Sequence, residues 1–151
     1  RIVMTKIRLA IGSDHGGLNL KSTLKNYISE SRENIEVSDF GTHNSDSVDY
    51  PDFGQAVAKA VQGNEVDLGI LVCGTGIGIS ISANRFKGVR AALVYNDFTA
   101  EMAKEHNNAN ILCLGERTTS VEDAKHFLDI WLNAEFGGDR HQRRVDKLDT
   151  V

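Results

Sequence analysis

Leu68-Gly69-Ile70-Leu71-Val72-Cys73-Gly74-Thr75-Gly76-Ile77-Gly78 is the stretch from which the fold is read. Leu68 to Val72 form an apolar run of strand length, and the glycines that follow make a tight turn that opens a helix. Similar apolar runs stand on either side, at Ile7 to Ile11, Glu36 to Asp39, Arg90 to Val94 and Asn110 to Leu114. Most are apolar enough to be covered on both faces, as strands of a parallel sheet are. Between them Leu18, Leu20, Leu24 and Ile28 recur at near-helical spacing, as do Phe53, Val57, Ala60 and Val61, and later Phe127, Ile130 and Trp131. These stripes are core faces of crossover helices. The alternation predicts an α/β chain, a Rossmann-like three-layer α/β/α sandwich with a five-stranded parallel sheet. Pro51 follows the longest polar loop, Gly41 to Tyr50, where a helix begins and a missing N–H costs little.

The 151 residues suit one domain with one core, spanning 1–151 and ending in a basic tail from about residue 137. A hydrophobic share of 40% and a charged share of 25% are those of a soluble globular protein, and a net charge of -4 argues against nucleic-acid or membrane-surface partners. An anionic ligand must therefore be met locally. Cys73 and Cys113 are the only cysteines and have no CxxC spacing, so neither a zinc site nor a disulfide framework is expected. No apolar stretch reaches membrane-spanning length, and Arg1 to Lys6 lack the apolar segment of a signal peptide. A reducing cytoplasm is the expected location.

In an open parallel sheet, ligands bind outside the carboxyl ends of the strands. Strand one ends in Gly12-Ser13-Asp14-His15-Gly16-Gly17 and strand three in Cys73-Gly74-Thr75-Gly76-Ile77-Gly78, so Asp14, His15, Cys73 and Thr75 should share one rim. A glycine loop at a helix start lets backbone N–H groups approach an anion. This loop has neither the Lys-Ser/Thr of a Walker loop nor GxGxxG spacing. By spacing alone it is equally a tight strand-to-helix turn. A cysteine beside a helix N-terminus is biased toward thiolate and can serve as base or nucleophile, although strand cysteines are commonly small core residues. Cys113, between Leu112 and Leu114 with no glycine loop, is assigned to the core.

Asp14 and His15 fit turn and capping roles, and equally a carboxylate that fixes an imidazole tautomer for proton movement on a ligand oxygen. Tyr50 is either loop packing or a polar lid over the rim. His106 ends a helix from Phe98 to Glu105, a favoured place for a cation in any protein. A helix after a parallel strand runs back toward the strands' amino ends, so His106 should lie far from its own rim and act only from a partner chain. Arg140 and Arg144 are four apart and would face one side of a helical turn, as a phosphate clamp or as solvated surface. Arg117, just after strand five, is a further rim candidate.

These residues together resemble the ribose-5-phosphate isomerase B family, within the wider group of allose- and galactose-6-phosphate isomerases. The resemblance rests on Gly12 to Gly17, Asp49-Tyr50-Pro51, Cys73 to Ser80, Ala83-Asn84, His106-Asn107-Asn108 and Gly138 to Val145, and leaves out Arg1 to Thr5, which precede the family's usual start. It implies a homodimer or dimer of dimers acting on a small sugar phosphate in the pentose phosphate pathway, with no cofactor and no metal. It implies that Cys73 takes the proton from the sugar carbon and that the loop Gly74, Thr75, Gly76, Ile77, Gly78 holds the enediolate. His15, Asn107, Arg117, Arg140 and Arg144 would bind substrate, with Asp14, and His106 would help open the furanose ring. Some members use a glutamate in the loop helix, but this chain has Ile79 in that region and keeps Cys73. A six-carbon phosphate remains an alternative substrate, and a flavodoxin-like phosphate- or nucleotide-binding module is the alternative from another class.

Overall fold

Each of the five apolar runs becomes a strand in the computed structural model, which describes residues 5–151. The strands are β1 (Ile7–Ser13), β2 (Ile35–Asp39), β3 (Leu68–Cys73), β4 (Ala91–Leu93) and β5 (Ile111–Gly115). All pair in parallel, in the order β2-β1-β3-β5-β4. The readings made on Arg1 to Met4 lie outside the described residues. The helices are α1 (Leu18–Ser31), α2 (Tyr50–Gln62), α3 (Ile77–Ala83), α4 (Asp97–Glu105), α5 (Val121–Asn133) and α6 (Arg140–Asp146).

Side-chain alternation along the strands divides the core in two. Leu9, Ile11, Ile70, Val72, Leu112 and Leu114 pack with Leu24, Ile28, Ala100, Leu128 and Trp131 under α1, α4 and α5. Ala10, Leu71, Cys73, Ile111 and Cys113 point to the other face and meet Val57, Ala60, Ile79 and Ala83 of α2 and α3. This is the expected three-layer sandwich. β4 is shorter than the run Arg90 to Val94 suggests, for a reason at the sheet edge. The Arg90 N–H is taken by the Asn110 side chain at 2.8 Å. The Asn84 amide closes the free side of Ala91, donating to its carbonyl and accepting from its N–H, each at 2.8 Å.

The direction of strand addition reverses between β1 and β3, which opens a crevice at their carboxyl ends. Close backbone contact holds that end together. A Cβ on Gly17 would come within 2.5 Å of the Val72 carbonyl oxygen, so only glycine admits the turn that joins β1 to α1.

Near the same end a charge is buried. Lys21 of α1 is 1% exposed and its ammonium donates to Asp39 at 2.6 Å. Burial disfavours the Asp39 carboxylate, but hydrogen bonds from Lys21 and the Gly41 amide, with the charges of Lys21 and Lys25, outweigh it and hold this carboxyl below its ordinary value. A depressed folded-state value gives stability that is whole above the unfolded value of about 4 and is lost as pH falls through the folded one. Asp39→Asn keeps an acceptor but leaves the Lys21 charge uncompensated, and should cost about 3 kcal/mol at neutral pH. Urea unfolding at pH 7 and pH 3 checks both points: wild type should lose part of its advantage over the variant at the lower pH.

Candidate active site

Cys73 ends β3 and is 5% exposed, with the Gly76 N–H donating to its sulfur at 3.1 Å. That amide gives the sulfur one donor of fixed direction. The turn that aims it needs glycine: Gly76 has φ of 78°, and a Cβ there would lie 2.6 Å from the Leu93 side chain. Thr75 Oγ1 accepts the Ile77 N–H at 3.2 Å. Two of the loop amides expected to hold an oxyanion are therefore engaged within the loop, which leaves those of Gly74, Thr75 and Gly78 for that task. Cys113 is fully buried two strand positions below the rim, and burial, with Cys73 nearby, pushes its thiol up.

The rim gathers as the sequence suggests. The point where Gly16 would carry a Cβ is 3.3 Å from Asp14 Oδ1, 3.4 Å from the Gly74 nitrogen and 3.7 Å from the Arg117 guanidinium. Asp14 is buried and its Oδ1 has no protein hydrogen-bond partner, so a carboxylate oxygen is held ready for a donor from outside the chain. His15 Nδ1 accepts the Val48 N–H at 3.1 Å, which places the proton of the neutral ring on Nε2 and presents a donor. Arg117 lies against Gly74, with a guanidinium nitrogen 3.2 Å from the position of a Cβ there. Tyr50, the first residue of α2, packs its ring over Gly78, where a Cβ would be 2.7 Å away. Tyr50 thus borders the loop.

The other group lies at the opposite edge of the sheet. His106 follows α4, and the neighbouring Asn108 carbonyl accepts from Arg90 at the amino end of β4. Gly69 pairs with Ile111 at that edge and Cys73 pairs with Gly115 at the rim, four residues on. At ~3.3 Å per residue the edges are about 13 Å apart. The tail folds along the amino edge: Gly137 N–H donates to the Glu105 carbonyl at 2.9 Å, and the Asp149 carboxylate accepts from Gly88 at 2.9 Å. His106, Asn107, Arg140 and Arg144 are thereby collected together but kept from the Cys73 of the same chain, as the run-back of α4 requires.

Two contacts in these groups are not announced by the sequence, where His141 stands only as part of the charged tail. His141 stacks on His106 with ring centroids 4.2 Å apart, and burial together with the charges of His106, Arg140 and Arg144 pushes its imidazole below the ordinary value. Its place within the Arg140 to Arg144 turn was the available signal. Glu116 accepts the Leu20 N–H at 2.7 Å from 96 residues away, a pairing no local pattern announces. Among the described residues no group of three or more His, Cys, Asp or Glu is placed to hold a metal ion.

With this geometry in view, comparison with known proteins is specific. The Ribose/Galactose Isomerase family profile matches residues 9–148. Ribose-5-phosphate isomerase B of Escherichia coli is 43% identical over 144 residues, covering 95% of each chain. The structure of ribose-5-phosphate isomerase B from Clostridium thermocellum superposes with a TM-score of 0.91 at 52% identity, covering 94% of this chain and 95% of that one. That of Mycoplasma genitalium ribose-5-phosphate isomerase B with bound ribulose-5-phosphate superposes with a TM-score of 0.91 at 43% identity, covering 95% of each chain.

Proposed function

Because the chain belongs to the ribose/galactose isomerase family, we propose that the rim around Cys73 is where it interconverts ribose 5-phosphate and ribulose 5-phosphate. The chain is a sugar-phosphate isomerase, and the six-carbon alternative is not favoured by relatives that carry the five-carbon name. The observation that carries the assignment of the base is the Gly76 amide on the Cys73 sulfur, with Asp14 and Arg117 meeting beside the same loop.

Asp14, with His106 supplied by a second copy, assists opening of the furanose ring. Cys73 thiolate then takes the proton from C2, and the released electron pair forms the C1–C2 double bond and leaves negative charge on O1. Loop amides and the Thr75 hydroxyl support that charge. O1 gains a proton, O2 gives one up, and the sulfur returns its proton to C1, which completes the ketose. His15 and Tyr50 flank the sugar, Asn107 and Arg117 contact it, and Arg140 and Arg144 hold the phosphate as guanidinium forks do. Isomerisation changes no net oxidation state, so no redox cofactor is needed, and the amides stand where a divalent ion would otherwise polarise oxygen.

A homodimer is the assembly that would complete a site divided in this way, and a dimer of dimers keeps the same pairing. Ile77, Ile81, Tyr95 and Phe98 leave large apolar surface exposed on α3 and around the start of α4, the kind of patch a second subunit covers. The place of the reaction is the pentose phosphate pathway. Among the described residues no helix is long and apolar enough to cross a membrane, and two free buried thiols accord with a reducing cytoplasm.

Ribose 5-phosphate turnover with EDTA present tests the reading. Ribulose 5-phosphate should form at the same rate with and without chelator. A loss of rate reversed by added divalent metal would remove the metal-free mechanism, and turnover confined to allose 6-phosphate would move the substrate to six carbons.

A further inference from the structure

We propose that Glu116 is a positioning residue that sets the distance between the Asp14–His15 turn and Cys73, an inference that rests on the isomerase reading above. The starting point is α1, whose first turn contains no acidic residue and whose N-cap, Gly17, offers no side chain. Its leading N–H groups have no intrahelical partners. One of them, on Leu20, is taken by Glu116 Oε1 at 2.7 Å, a carboxylate delivered from the far end of β5. Among the described residues no basic side chain forms an ion pair with Glu116, and its carboxylate serves the helix end.

The backbone of the same residue faces the other way. Glu116 N–H donates to the Cys73 carbonyl at 2.9 Å, and the next N–H, of Arg117, donates to the Gly74 carbonyl at 2.9 Å. Glu116 is thus tied to the cysteine segment by its main chain and to α1 by its side chain. The Asp14–His15 turn runs directly into α1 through Gly17, which has no slack against Val72. The turn is held to β3 on one side by Gly17 and by the pairing of Ser13 with Val72, and the Glu116 bridge fixes its other side, where it enters α1, so loss of the bridge frees the α1 side of Asp14 and His15 alone.

Such a role predicts a change in substrate binding rather than in the proton-transfer step. Glu116→Ala and Glu116→Asp, the latter too short by one methylene, should raise KM for ribose 5-phosphate about five- to tenfold with kcat within about twofold, the scale of one hydrogen bond. Glu116→Gln keeps an acceptor of the right reach and should return KM close to wild type. Ser120→Ala is the reference for a lost helix cap, since Ser120 Oγ accepts the Asp123 N–H of α5 at 3.1 Å. It should lower the melting temperature about as much as Glu116→Ala while leaving KM unchanged. KM unchanged in Glu116→Asp, kcat falling in place of a rise in KM, or failure of Glu116→Gln to restore KM would each overturn the proposal, and the Asp and Gln variants decide it if the Ala variant does not fold. Wild type inactive on ribose 5-phosphate would instead remove the isomerase reading, independently of Glu116.

Discussion

Cys73→Ala is expected to lower ribose 5-phosphate turnover by about 10² to 10⁴, the usual contribution of a positioned general base, with substrate affinity retained. The thiol sits at the end of β3 with one amide donor on it, and its removal leaves the loop, Asp14 and Arg117 in place. The effect should therefore fall on kcat. Isothermal titration with ribose 5-phosphate would give binding, and solvent deuterium entering the sugar would report the carbon proton transfer directly. Exchange should disappear with turnover in the variant. Cys113→Ala is the internal comparison, because that sulfur lies fully buried with its thiol pushed up. It should turn over close to wild type at a small cost in stability. A Cys73→Ala enzyme that keeps more than a tenth of wild-type kcat would show that another group moves the proton.

The second large effect concerns the far edge of the sheet. Arg140→Ala combined with Arg144→Ala removes both guanidinium groups from the first turns of α6, and should lower kcat/KM by about 10² to 10⁴, as loss of two charge-assisted contacts to phosphate implies. This double variant and Cys73→Ala should be nearly inactive apart. Mixed by co-expression they should recover about a quarter of wild-type turnover, because half of randomly paired dimers are mixed and each mixed dimer rebuilds one intact site of two. The sheet makes the recovery a geometric test. Cys73 and the tail stand at opposite edges of one chain, about 13 Å apart along the strands by the ~3.3 Å rise. A site made within one chain would give no recovery, since every mixed dimer would then hold two broken sites.

Local pattern was enough for some parts of this molecule and not for others. The rim residues were legible because each stands directly after an apolar strand, and a parallel sheet puts all such positions on one side. The separation of His106 from that rim was legible for a related reason, since a crossover helix must run back. The strand order was not. Nothing in the runs themselves places β5 between β3 and β4, since pairing order depends on which faces α3, α4 and α5 cover after collapse. The shortened β4 escaped notice too, because its limits are set by Asn84 and Asn110, whose side chains stand in for a missing strand partner. The enclosing of Lys21 by Asp39 reads locally as two surface charges on an amphipathic helix and a strand end.

Periodicity and punctuation in the sequence alone determined that five strands alternate with helices, that Cys73 opens a glycine turn, and that Cys113 does not, because these depend on neighbours within a few residues. Tertiary structure alone decided that His141 stacks on His106 and that Glu116 reaches Leu20, because each joins groups far apart in sequence that meet only once the helices have packed on the sheet. Hydrogen bonds and ring stacks act over a few ångströms, and distance along the chain carries no record of them.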